Sequence, residues 1–67
     1  MDGNTIVCIE IELEHETERA FLAAGEWIPK SQIQNLDEVV FNPFEPEVVL
    51  ELPEWLVIAK ELDGYVI

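Results

Sequence analysis

The chain has 67 residues, and its 15 Asp and Glu against three Lys and Arg give a formal net charge of −12 at pH 7. So short a polymer encloses one compact core, so residues 1–67 read as a single small acidic domain with no room for a second lobe. The charge excludes direct binding to nucleic acid and to anionic membrane, and the 49% apolar content excludes a disordered acidic tail.

Residues 5–14 alternate: Val7, Ile9, Ile11 and Leu13 fall on one face, Glu10, Glu12 and Glu14 on the other. Period two predicts a strand. Ile6 and Cys8 continue the glutamate face backwards as apolar positions, so the strand should be covered on both sides at its start and on one side further along. Cys8 is the single cysteine, which forbids an internal disulfide, and a small apolar group in a strand is expected to be buried. The opening MDGNTIV has no basic region or apolar stretch of a signal peptide, and no apolar run approaches the ~18 residues that span a bilayer. A cytoplasmic location is expected.

Residues 19–24 (RAFLAA) form a second short apolar run, joined to the first by His15-Glu16-Thr17-Glu18 as an antiparallel hairpin whose turn lacks glycine. Ala24-Gly25 then predicts a tight turn into a third strand, Glu26-Trp27-Ile28-Pro29. Pro29 should end that strand or leave it at a sheet edge, since proline gives the ladder no donor. A bend over Lys30-Ser31-Gln32-Ile33 leads to a short β-prone run, Val39-Val40-Phe41, and a turn-rich loop, Asn42-Pro43-Phe44-Glu45-Pro46. Val48, Leu50 and Leu52 alternate with Glu47, Val49 and Glu51 as a last strand.

Pro53 suits the first helical position, with Glu54 at the positive end of the helix dipole. Trp55, Ile58, Ala59 and Leu62 then recur at helical spacing, predicting about ten residues of helix stopped by Asp63-Gly64, after which Tyr65-Val66-Ile67 can dock on the sheet. The expected fold is β-rich α+β: a small curled antiparallel sheet or partly open SH3/OB-like barrel with one C-terminal helix. Its core should draw on Val7, Ile9, Ile11, Leu13, Phe21, Trp27, Ile28, Val48, Leu50, Leu52, Trp55, Ile58 and Leu62.

Three stretches, Glu16-Thr17-Glu18-Arg19-Ala20-Phe21-Leu22, Trp27-Ile28-Pro29-Lys30-Ser31-Gln32-Ile33 and Leu52-Pro53-Glu54-Trp55-Leu56, together resemble short uncharacterised proteins of phages and other mobile elements. The resemblance implies a small β-rich fold and a host-cell setting. Several such proteins sit in regions that counter host defences, which points to an anti-CRISPR-like role and to no established chemistry. The segment 35–46 is longer than the pattern requires and could carry a specialised contact.

On a strand, alternate side chains stand about 6.6 to 6.8 Å apart on one face. Glu10, Glu12 and Glu14 therefore form a regular line of negative charge, extended by Glu16 and Glu18 if the strand runs on. Such a line imitates a phosphate backbone in sign and spacing, and suits the basic groove of a nucleic-acid-binding protein. The plain alternative is a solvated strand face that discourages edge-to-edge aggregation. The net charge tips the balance, because solubility in a small domain is served by a magnitude of roughly 2 to 8. Phe44, set between two prolines, is a candidate anchor for a protein partner, while Lys30 should pair with a nearby carboxylate.

No catalytic residue, cofactor or metal is expected. His15 has no second His or Cys at ligand spacing, no calcium loop is present, and Ser31 and Cys8 lack the neighbours that activate a nucleophile. The expected function is a non-enzymatic acidic phage-type inhibitor that binds through Glu10, Glu12, Glu14, Glu16, Glu18 and Phe44. The alternative is a self-associating structural or accessory phage module, a homo-oligomer whose acidity only keeps it dissolved.

Overall fold

The computed structural model describes residues 5–67, so the first four residues of the leader reading lie outside it. Four strands, β1 (Ile6–Glu16), β2 (Ala20–Ala23), β3 (Glu26–Pro29) and β4 (Glu47–Pro53), form one antiparallel sheet in the order β3-β2-β1-β4. The sheet is open, with β3 and β4 as its edges, and one short helix, α1 (Glu54–Ala59), follows β4. The β-rich α+β class read from the sequence is the class observed.

The alternating pattern of β1 sends Ile9, Ile11 and Leu13 to one face, where they are buried with Phe21 and Ala23 of β2, Ile28 of β3, and Leu50 and Leu52 of β4. Removing that apolar surface from water is the main drive for the fold, at about 1.5 to 3 kcal/mol per large side chain. Val7 and Val48 are half-buried beside them. Cys8, expected to be buried, is half-buried, because its side chain points to the opposite, open face.

The two hairpins close by different means. In the β1–β2 turn the Thr17 hydroxyl accepts hydrogen bonds from the backbone N–H groups of Arg19 (3.3 Å) and Ala20 (3.0 Å), and Thr17 N–H donates to the Ala20 carbonyl (2.8 Å). The threonine thereby closes the turn through its side chain. In the β2–β3 turn Ala24 (φ 51) and Gly25 (φ 74) both adopt positive φ, the mirror-image turn that matches strand twist. The β1–β2 ladder also contains a bulge: Leu13 pairs with Ala23, but His15 pairs with Leu22 and Glu16 with Phe21. One extra residue on β1 reverses the faces beyond it.

Three expectations for the core are corrected. Trp27 stands 44% exposed, since its neighbour Ile28 takes the buried face and adjacent strand residues cannot share one. Trp55 (45% exposed) and Ile58 (59%) face outward, and α1 buries Leu56 and Val57 instead. The helix is six residues long, not about ten. It stops early because Glu61 takes φ 56, letting Glu61 N–H donate to the Ile58 carbonyl (3.1 Å) and Leu62 N–H to the Val57 carbonyl (2.8 Å). That paired closure swings Leu62 under the helix against Val57, so Leu62 is buried without being helical. Pro53, in extended conformation, sits just before the helix and not at its first position.

Between β3 and β4 the chain makes two 3-10 turns, Lys30–Gln32 and Leu36–Glu38. The buried Ile33, not among the core positions expected from the sequence, lies between them. Val39-Val40-Phe41 forms no strand. Val39 and Phe41 rest against the core, while residues 34 and 35 hold the Val49–Glu51 part of the β4 edge. After a 3-10 turn at Asp63–Tyr65 the C-terminus docks by one bridge, Val66 to Ile9, with Ile67 N–H donating to the Cys8 carbonyl (3.1 Å).

Candidate acidic docking face

The face of the sheet opposite the core carries Glu10, Glu12 and Glu14 from β1, all exposed, as the alternation requires. β4 contributes to the same face: Glu12 is directly opposite Glu47, Glu10 opposite Val49, and Cys8 opposite Glu51. Leu13 N–H donates to the Pro46 carbonyl (3.0 Å) and Glu54 N–H to the Thr5 carbonyl (2.7 Å). These bonds set the parity of the ladder, placing Glu12 and Glu47 in a non-hydrogen-bonded pair, the kind in which facing side chains approach most closely. Two glutamates therefore stand directly opposite each other at the closest Cα spacing a sheet offers. Around them lies an open depression of about 530 Å³ lined by Glu10, Ile11, Glu12, Glu14, Ala24, Glu47 and Tyr65.

No salt bridge reaches Glu10, Glu12 or Glu47 among the described residues. The three Lys and Arg residues are elsewhere: Arg19 is in the β1–β2 turn, Lys60 at the C-terminal end of α1, and Lys30 beside Glu16. Glu14 remains exposed while accepting a hydrogen bond from Gly25 N–H (3.0 Å), which braces the β2–β3 turn.

The bulge removes Glu16 from the line. It turns Glu16 toward the Phe21 side, where Lys30 Nζ lies 2.6 Å from its carboxylate and 4.8 Å from the Phe21 ring centroid. The expected pairing of Lys30 is thus the one observed, and the cation also covers an edge of the core. Glu18 sits in the turn past the end of the strand. Five carboxylates read as one line become three on β1, with Glu47 added from β4. Sequence reasoning could not have found Glu47, whose position depends on a register between strands 35 residues apart (47 − 12).

Past the bulge the outer face continues as His15, Leu22 and Trp27, paired across β1, β2 and β3. The His15 and Trp27 rings meet edge to face at 6.2 Å. Phe44 is 93% exposed at the tip of its loop, three residues before Glu47. Its backbone N–H donates to Asn42 Oδ1 (2.9 Å), and Glu45 N–H donates to the Asn42 carbonyl (3.0 Å), so the loop that presents the ring is braced. Among the described residues no three His, Cys, Asp or Glu side chains gather as a metal ion would need, and no helix is long and apolar enough to cross a membrane. No protein-family model, curated protein or solved structure matches the chain.

Proposed function

We propose that this is a non-enzymatic acidic binding protein of phage type, acting in the host cytoplasm. It lays the face formed by Glu10, Glu12, Glu14 and Glu47 on a basic protein surface that normally holds nucleic acid. The contact blocks that surface as a DNA mimic would, inhibiting a host defence complex such as a CRISPR effector. In this reading the open, bulged sheet is a partly open SH3- or OB-like barrel that serves as a rigid platform, and Phe44 is an apolar anchor at its side. The observation that carries the proposal is the pairing of Glu12 with Glu47 with no cation salt-bridged to either among the described residues. Like charges directly opposed weaken a sheet, and a basic partner would reverse that cost.

The test is a pull-down from host lysate with the wild-type protein and a Glu10→Gln, Glu12→Gln, Glu47→Gln variant, each eluted with duplex DNA. Nucleic-acid-binding proteins that the wild type retains, the variant loses and DNA displaces are the expected outcome. Equal capture by both proteins, or capture indifferent to DNA, overturns the reading.

A second reading, a self-associating accessory module, is favoured by Trp55 and Ile58, which stand exposed three residues apart on one side of α1. Light scattering separates the two. An oligomer dispersed by Trp55→Ser and Ile58→Ser would support the module, and a monomer at all accessible concentrations would exclude it.

A further inference from the structure

The outer edge of β4 carries a feature that the acidic face does not use. The parity that turns the backbone groups of Val48, Leu50 and Leu52 toward β1 turns those of Glu47, Val49 and Glu51 to the open side. Two of these three are served by residues 34 and 35. Glu51 N–H donates to Asn35 Oδ1 (2.9 Å), the Glu51 carbonyl accepts from Gln34 N–H (2.8 Å), and the Val49 carbonyl accepts from Asn35 Nδ2 (3.0 Å). The Asn35 amide thus stands in for a neighbouring strand along half of the edge. Among the described residues the Val49 and Glu47 N–H groups donate no hydrogen bond and the Glu47 carbonyl accepts none.

Those groups open on a groove of about 520 Å³ between β4 and the loop that follows the second 3-10 turn. Val40, 73% exposed, and the half-exposed Val49 supply its apolar wall, and Glu38, Glu45, Glu47 and Glu51 its rim. No Lys or Arg lines it. An unpaired sheet edge beside an apolar wall is what an extended peptide needs in order to add a strand, and the rim sets the charge of that peptide. A second copy of this chain is a poor occupant, since it would bring a net charge of −12 against a rim of four carboxylates.

We infer that the β4 edge binds a short extended basic peptide as an added strand. Its backbone pairs with Glu47 and Val49, its Lys or Arg side chains lie on the outer face with their stems on Val49 and reach Glu47 and Glu51, which share that face, and its β-branched side chains alternate to the other face. The inference rests on the reading that the partner is a basic protein and specifies the part engaged, a flexible basic tail or loop.

The probe is a capped nonapeptide of alternating Lys and Val. Its controls are the same peptide N-methylated at alternate residues and a helical Lys/Ala peptide of equal charge. Titration at low salt, followed by amide NMR, should show the first binding about tenfold or more tighter than either control, with the Glu47 and Val49 amides shifting most. Val49→Pro, which deletes an outward N–H and no bond to β1, should abolish that preference. Equal affinity for the three peptides overturns the inference, even if the proline variant fails to fold. Shifts confined to Glu10, Glu12 and Glu14 overturn it while leaving the acidic face standing. Edge binding, together with a pull-down unaffected by a Glu10→Gln, Glu12→Gln variant that leaves Glu47 in place, would overturn the acidic face and keep the edge.

Discussion

The two ends of β1 carry the same residue type on the same strand and treat it in opposite ways. Before the bulge, Glu10 and Glu12 stand in solvent beside Glu47 with no cation among the described residues. After it, Glu16 lies 2.6 Å from Lys30, over the edge of Phe21. One inserted residue separates them. The lesson is that carboxylate density in the sequence does not measure carboxylate availability, because register and bulges decide which charges the protein neutralises for itself. An acidic end left unneutralised next to an acidic end that is neutralised is a difference that mutation can probe.

The largest effect should come from the buried face that both ends share. Leu50 is fully buried opposite Ile9, and Leu50→Ala removes its contacts and leaves a cavity. Such changes cost about 2 to 5 kcal/mol, whereas a domain of this length has a total stability of roughly 3 to 10 kcal/mol. Urea unfolding followed by circular dichroism should show the midpoint fall by a fifth or more, or no folded baseline at all. A loss under about 1 kcal/mol would mean that β4 is not packed over β1 as described, and the shared platform would be gone.

Next is the neutralised end. Lys30→Ala removes the ion pair with Glu16, the cation over Phe21, and an aliphatic stem that shields the ring. The ion pair alone is worth little, because Glu16 is more than a third exposed and solvent screens it. The ring contact and the stem raise the expected loss to about 1 to 2 kcal/mol. Lys30→Met keeps the stem and should recover about half of that loss. Full loss in the methionine variant would assign the effect to charge alone.

Much of this arrangement is legible in the residues themselves. The alternation of Val7 to Leu13 against Glu10 to Glu14 gives β1 and its buried face, Ala24-Gly25 marks the tight turn, Pro29 marks the end of an edge strand, and the spacing of Val48, Leu50 and Leu52 gives β4. What stays hidden is non-local. The bulge arises from how β2 meets β1, and nothing in His15-Glu16-Thr17-Glu18 announces the extra residue. The phase of α1 is ambiguous because Trp55-Leu56-Val57-Ile58 is apolar on every side, and only docking against β4 selects Leu56 and Val57. Trp27 could have been placed correctly, since assigning it and Ile28 to one face contradicts the strand period. The role of Asn35 was beyond reach, because its amide meets backbone groups 14 and 16 residues away.

The smallest expected effect compares the two ends most directly. Glu47→Lys places a cation opposite Glu12, converting a like-charge pair into an opposite-charge pair at close cross-strand spacing. Stability should rise by about 0.5 kcal/mol at low salt, and the gain should fade as the Debye length shrinks from ~30 Å at 0.01 M to ~3 Å at 1 M. Glu16→Gln, past the bulge, should do the reverse, lowering stability by up to about 1 kcal/mol at low salt. Opposite signs for two glutamates on one sheet, both converging toward zero in parallel salt series, would locate the surplus charge before the bulge. A loss of stability in Glu47→Lys would mean that Glu47 is already favourably placed, leaving no internal repulsion for a basic partner to relieve. The same substitution should weaken capture of that partner, so a variant that is more stable yet binds worse is the combination that the docking face requires.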